Sequence, residues 1–369
     1  MEVIAHQIPE SYGRKKGDDL SDIVLDSAQH EQWLSTTTVL YNPNDGYVYL
    51  GLTKMSGDVF YRFDRETGES ECLDYLSVRA DREVKIHRSL DIAPDGRIFG
   101  ACAGLITIKD RETAPGGQLW SWDPKTKTYD VYGTPSPGDY VQHITVDHER
   151  NLAYGCTYPV PWFFVYDLEA RKTIRHTFIG GLPHKTAIDD NGVAWSGYNP
   201  TGDANAGEGY IFCYNPDTDK MDWTDLQLPA VGRSDDKQID DMVNLGDGYI
   251  YMGSVSGALS RLDPIKREVE WLGKPSRGMR LCGIDDGPDG RIYATSGAYY
   301  GMATADSMCQ AHAFDRETMQ FTTLGDIYDS NVGFGCAALH SLSVDDNGTL
   351  WVGETDSDKH SGCLWECRI

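Results

Sequence analysis

The chain has 369 residues, 57 of them acidic and 33 basic, for a formal net charge of −24. That excess argues against nucleic acid or an anionic membrane surface as a partner, since both would repel it. No stretch of about 18 apolar residues occurs, so no membrane-spanning helix is expected. No basic segment followed by an apolar run opens the sequence, which sets the expectation of a cytoplasmic location.

The first strand is expected at Val3-Ile4-Ala5-His6-Gln7-Ile8. Two short motifs then alternate along the chain. One is a tight turn followed by a β-branched or aromatic strand ending in Gly. It starts at Asp45-Gly46, before Tyr47-Val48-Tyr49-Leu50-Gly51, and returns at Asp95-Gly96, Arg150-Asn151, Asn191-Gly192, Asp247-Gly248, Asp289-Gly290 and Asn347-Gly348. Such dipeptides supply the positive φ that tight hairpins need, and the alternating residues after them predict strands. The other motif is an apolar pair closed by Asp or Asn. It occurs at Tyr61-Arg62-Phe63-Asp64, Trp120-Ser121-Trp122-Asp123, Val165-Tyr166-Asp167, Phe212-Cys213-Tyr214-Asn215, Arg261-Leu262-Asp263 and Ala313-Phe314-Asp315, with Leu364-Trp365-Glu366 as a seventh, terminal copy.

Successive turn residues lie 50, 55, 41, 56, 42 and 58 positions apart. This is the span of one four-stranded sheet, and a fixed repeat of that size predicts an all-β, seven-bladed β-propeller. The unequal spacings leave six or eight blades open. The chain ends one strand short of a full blade, and the N-terminal strand can supply it and close the ring. A single β-propeller domain over residues 1–369 is therefore expected. The nine cysteines are an odd number, and Cys102, Cys156, Cys213 and Cys282 fall within strands, where a thiol packs as a small apolar group. They are read as reduced and structural. Cys363 and Cys367 share the last strand, without a metal-site spacing.

In a propeller the innermost strand of each blade starts on the face that usually carries the site and runs down the axis to the tight turn. Eight residues before each turn residue stand Thr38, Arg88, His143, His184, Asp240, Cys282 and His340, with His87 one position earlier in its blade. Three histidines in one register point to a functional cluster at the top of the channel; a polar, water-filled channel is the bland alternative. Lys85, Arg88, Lys185, Arg233, Lys237, Arg277 and Arg280 fall in the same loops, which suggests an anionic ligand in so acidic a chain. Tyr158, Tyr198, Tyr299 and Tyr300 join them, and aromatic rings beside charged donors suit a sugar. The acidic pairs Asp189-Asp190, Asp285-Asp286 and Asp345-Asp346 are read as hairpin turns on the opposite face. No phosphate loop, dinucleotide fingerprint, nucleophile elbow or His-Glu-x-x-His is present.

The segment Tyr154-Gly155-Cys156-Thr157-Tyr158-Pro159, followed by Phe163-Phe164-Val165-Tyr166-Asp167, together with histidines on inner strands, resembles the propeller-type polysaccharide lyases. These include oligogalacturonate, ulvan and rhamnose–glucuronate lyases. The resemblance covers the whole chain as a repeat pattern, but the His-x-His metal pair of the oligogalacturonate enzymes is missing. It implies β-elimination on a uronic-acid-containing oligosaccharide. An Arg or a metal would neutralise the carboxylate, a base would take the C5 proton, and an acid would protonate the leaving oxygen. The implied roles are His87 or His143 as base, Tyr158 as acid, and Arg88, Arg233 or Arg280 as carboxylate clamp. His184, Lys185, Tyr198, Lys237, Tyr299 and His340 would complete the substrate pocket. Alternatively His143, His184 and His340 could hold one divalent cation (Ca, Mn or Zn) on the axis. A cytoplasmic lyase would meet short, imported oligosaccharides. Two rivals remain: a glycoside hydrolase, which wants two carboxylates where this face offers chiefly Asp240, and a non-catalytic glycan- or protein-binding propeller.

Overall fold

Seven four-stranded antiparallel sheets follow one another along the chain, and all but the last are built from consecutive strands. The computed structural model describes residues 1–8, 34–55, 57–105, 107–202, 209–231, 238–297, 308–355 and 360–369. The innermost strands of blades 1 to 7 are Leu34–Tyr41, Leu90–Ile92, Tyr140–Asp147, Ala187–Ile188, Ile239–Asn244, Leu281–Asp286 and Leu339–Val344. Each touches the innermost strand of the next blade and the seventh touches the first, so the blades form a closed ring. This is the expected seven-bladed propeller.

Closure uses both ends of the described chain. Glu2–His6 pairs antiparallel with Leu364–Arg368, from Glu2 opposite Arg368 to His6 opposite Leu364, and becomes the outer strand of blade 7. Val3 and Ile8 are buried by this docking. His6 also packs its ring 4.7 Å from that of Phe63 in blade 1, and its Nε2 lies 2.8 Å from Glu366 Oε2. The pairing removes a row of exposed backbone donors and acceptors.

The repeat motifs have a local physical cause. The residue at each inner hairpin turn has positive φ: Gly46, Gly96, Gly192, Gly248, Gly290 and Gly348 lie between 77° and 91°, and Asn151 is at 54°. The turn aspartates also anchor the strand that follows. Asp45, Asp247 and Asp289 accept hydrogen bonds from the hydroxyls of Tyr49, Tyr251 and Tyr293 at 2.6, 2.8 and 2.9 Å. Asp189 and Asp345 accept from the indoles of Trp195 and Trp351 at 2.8 and 3.0 Å. In the second motif the closing Asp or Asn caps the next turn. Asp64, Asp123, Asn215, Asp263 and Asp315 each accept the N–H two residues on, at 2.8–3.0 Å, which only a short polar side chain can reach.

Apolar residues pack between neighbouring blades, as where Tyr49 and Phe60 of blade 1 meet Trp120 and Trp122 of blade 2. Polar residues tie the inner strands to one another. The carboxylates of Asp91, Asp241 and Asp285 accept the N–H groups of Val146, Ile284 and Val344 in the next blade at 2.9, 2.8 and 2.8 Å. Ser341 and Ser343 accept those of Val39 and Tyr41 at 3.1 and 3.0 Å, joining blade 7 to blade 1. All nine cysteines are free thiols and eight are buried.

Candidate functional site

The first ladder in five blades contains a bulge near its upper end, which leaves one residue of the innermost strand out of the pairing: Thr37, Gln142, Asp240, Cys282 and His340. A bulge frees backbone groups and re-aims side chains. Three of these carbonyls are used by side chains at the axis. His340 Nδ1 donates to Thr37 O, His87 Nδ1 to Gln142 O at 2.8 Å, and Arg88 Nη1 to Asp240 O. In blades 2 and 4 the ladder starts later, at Leu90 and Ala187, and Arg88 and His184 stand just before it.

Asp240 is the hub of this cluster and is wholly buried. Its carboxylate accepts from Arg280 Nε and Nη2, both at 2.7 Å, and from Arg88 Nη2 at 3.1 Å. His184 Nδ1 lies 2.9 Å from the same carboxylate. Burial pushes the Asp240 carboxyl up, but the charges of Arg280 and Arg88 and the bonds from Arg280 and His184 overcome it and hold the group well below the usual carboxylate range. Arg88 and Arg280 both have left-handed backbone, φ 45° and 57°. Such residues cost about 1–3 kcal/mol each and persist where the surroundings hold them.

Beside the hub, His87 and His340 meet Nε2 to Nε2 at 2.9 Å, and the His184 ring stands 5.4 Å from that of His87. His87 and His340 both turn Nδ1 to a carbonyl, which only accepts, so both Nδ1 atoms carry protons. Their Nε2 contact is then satisfied only when the pair holds one further proton. Burial opposes that charge and pushes both rings well below the usual histidine range, helped by Lys85 and Arg88. His184 is lowered by burial to about 4, against the pull of Asp240.

Two cavities adjoin the cluster. A channel cavity of about 230 Å³ runs beneath it, where Arg88, Lys185 and His340 face Asp91, Asp241 and Asp285. The second, of about 320 Å³, is lined by Lys85, Ala103, Gly104, Leu105, Thr107, Gln142 and Tyr158. It is linked to the hub through Gln142, whose carbonyl holds His87. Tyr158 is 36% exposed.

The predicted site residues therefore separate. His87, Arg88, His184, Asp240, Arg280 and His340 form one network, buried except for His184, whose side chain is 17% exposed. Arg88 and Arg280 spend their guanidinium groups on Asp240, which differs from the expected clamp on a ligand carboxylate. His143 is set apart: it is buried, and its Nε2 lies 2.9 Å from Thr186 Oγ1 of blade 4. The residue of blade 3 in register with His340 is Gln142, because blade 3 has one more ladder pair before its turn. Tyr198 gives its hydroxyl to Thr224 O at 3.0 Å and packs on Tyr210 and Trp223 within blade 4, not on the axis. Lys185 lines the channel, its ammonium lowered by burial. Arg233, Lys237, Tyr299 and Tyr300 lie outside the described residues. His143, His184 and His340 contact Thr186, Asp240 and His87 respectively, and the three rings do not bring ligand atoms within 4.8 Å of one another, so these residues do not fit a cation held among them. The bulge, which selects the axial residues, was missed by counting; its only sequence sign is the variable distance from strand start to turn.

No known protein family matches the chain, and no curated protein does. Solved structures do match. The extracellular domain of the putative one component system BT4673 from B. thetaiotaomicron superposes with a TM-score of 0.61 at 10% identity, over 96% of this chain and 40% of that one. The extracellular domain described as the putative hybrid two component system BT4673 gives 0.60 at 11% identity, over 90% and 38%. That of the putative hybrid two component system BT3049 from the same organism gives 0.59 at 13%, over 90% and 40%. The chain thus spans about 40% of the length of the solved chains it matches. At this identity the likeness is one of fold. None of the three is described as a lyase, so the lyase resemblance gains no support from them. The expected cytoplasmic location is overturned, since all three matched propellers are extracellular domains.

Proposed function

We propose that this propeller is a non-catalytic recognition module, acting outside the cytoplasm, that binds a small anionic carbohydrate in the pocket of Lys85, Gln142 and Tyr158. One observation carries the reading. The charged groups around Asp240 are committed to one another, whereas Lys85, Gln142 and Tyr158 line a neighbouring cavity of ligand size in which the phenol of Tyr158 is 36% exposed. An ammonium attracts a uronate or similar anion, and a phenol ring covers the apolar face of a sugar. The cavity is at the lower end of the range for small-molecule sites, about 300–1000 Å³. The fold likeness to extracellular domains of putative one- and two-component systems supports binding over turnover.

A second reading keeps one observation. Tyr158 and Lys85 line a pocket that also includes Gln142, whose carbonyl holds His87, and an oligosaccharide lyase would use them as acid, cation and base. Calorimetry with short uronate and neutral oligosaccharides, followed by ultraviolet detection of unsaturated uronate in the same samples, separates the two. Saturable binding without the chromophore supports recognition; the chromophore at catalytic protein concentrations establishes elimination. No binding to any charged glycan overturns both.

A further inference from the structure

Away from the axis, the seam of blade 7 gathers three donors of different chemistry. Glu354 ends the strand Leu350–Glu354, and His360 and Cys363 precede the strand Leu364–Arg368. A carboxylate oxygen, a ring nitrogen and the thiol sulfur all lie within 4.8 Å of one another. Glu354 Oε1 is 3.6 Å from His360 Nε2, close to the edge of about 3.4 Å expected for a tetrahedron with bonds of about 2.1 Å. We propose that Glu354, His360 and Cys363 form a binding site for a divalent cation of the zinc class.

The surroundings orient each donor. Glu354 Oε2 accepts from Cys363 N–H at 3.1 Å and from the Trp365 indole at 3.0 Å, and Oε1 accepts Ala337 N–H at 2.6 Å, which fixes the carboxylate plane. His360 Nδ1 donates to Ser361 O at 2.9 Å. With Nδ1 so held, as the outer contacts of metal-bound histidines are, a cation would take Nε2 in place of its long 3.4 Å contact with Gly335 O. Phe334 packs 4.3 Å from the His360 ring and shelters it. The His360 side chain is 14% exposed, while Glu354 is wholly enclosed, so His360 marks the side of entry. A plain ion pair between Glu354 and His360 would not account for a thiol within 4.8 Å of both donors. Oxygen, nitrogen and sulfur together favour zinc over calcium or magnesium, which take oxygen. The bound ion would tie the second strand of blade 7 to the entry of the third, which carries the N-terminal strand.

The test is metal titration of the full chain after chelator treatment. One equivalent of Zn(II) is expected, raising Tm, and Co(II) should give a tetrahedral spectrum with a sulfur-to-cobalt charge-transfer band. Cys363→Ser and His360→Ala should each weaken binding by at least about tenfold and cancel the Tm rise. Cys72→Ser, at the one exposed thiol, should leave both unchanged. Octahedral cobalt without the sulfur band in the unaltered protein overturns the site even if a variant fails to fold. Uptake that survives Cys363→Ser, or no stoichiometric uptake, overturns it as well.

Discussion

Arg280 grips Asp240 with two hydrogen bonds of 2.7 Å, one to each carboxylate oxygen, at a point where both residues are buried. The pair joins blades 5 and 6, and Arg88 brings blade 2 to the same carboxylate from across the axis. Asp240→Asn keeps the shape but removes the charge that two buried guanidinium groups share. Breaking a buried pair from one side costs about 3–5 kcal/mol. The expected outcome is a loss of that order in urea unfolding at pH 7. A loss under about 1 kcal/mol would show that the network stabilises little.

The pH dependence has opposed components. The Asp240 carboxyl is held low, so its stabilisation is present above the unfolded carboxylate range and is lost as pH falls through its depressed folded value. His184 is lowered to about 4, so between about 6.5 and 4 the unfolded chain binds the proton first, and stability falls with pH. Asp285 is raised by burial to about 7, so between about 4 and 7 the native state holds the extra proton, and stability falls as pH rises. His184→Gln should therefore flatten the acid side. Asp285→Asn should remove a decline on the order of 4 kcal/mol between pH 4 and 7. Unfolding free energies at several pH values across pH 4–8 check both signs.

Removing residues 1–8 uncovers the edge of Leu364–Arg368 and the sites filled by Val3 and Ile8. Burying those two side chains is worth about 3–6 kcal/mol, and an open edge invites pairing with another chain. Lower Tm and concentration-dependent association in light scattering are expected. An unchanged monomer with unchanged Tm would mean that the strand is dispensable for closure.

If the pocket beside the axis binds the ligand, Lys85→Ala should weaken an anionic oligosaccharide by about 10- to 100-fold, the worth of a hydrogen bond to a charged group. Tyr158→Phe should cost about 2- to 10-fold, the worth of a neutral one. Neither should lower Tm by more than a few degrees. Equal affinities in all three proteins would move the binding site elsewhere.

Much of the architecture was legible because it is written in short-range chemistry. Gly46 and its equivalents are needed for positive φ, and Asp64 and its equivalents cap the turn two residues away. Such interactions recur with the repeat and show as motifs. Blade number, strand order and the role of Val3–Ile8 followed from them. The axial histidines His87, His184 and His340 were also legible, because each stands at or just before the start of an innermost strand, and those starts share one face.

What the tertiary structure decided was which atoms these residues meet. The last ladder pair before the turn is Asp147 with Leu152 in blade 3, Tyr41 with Val48 in blade 1, and Val344 with Leu350 in blade 7. Blade 3 has five ladder pairs between bulge and turn where blades 1 and 7 have four, which sets its bulge at Gln142, and a one-residue slip turns a side chain to the other face. Hence Gln142, not His143, stands at the axis. Arg88 and Asp240, or His87 and His340, are brought together only by closure of the ring, across separations of 152 and 253 residues. The sequence by itself determined the blades, since each rests on contacts a few residues apart. The partnership of charges at the axis, and the meeting of Glu354, His360 and Cys363, depend on packing that no local pattern records.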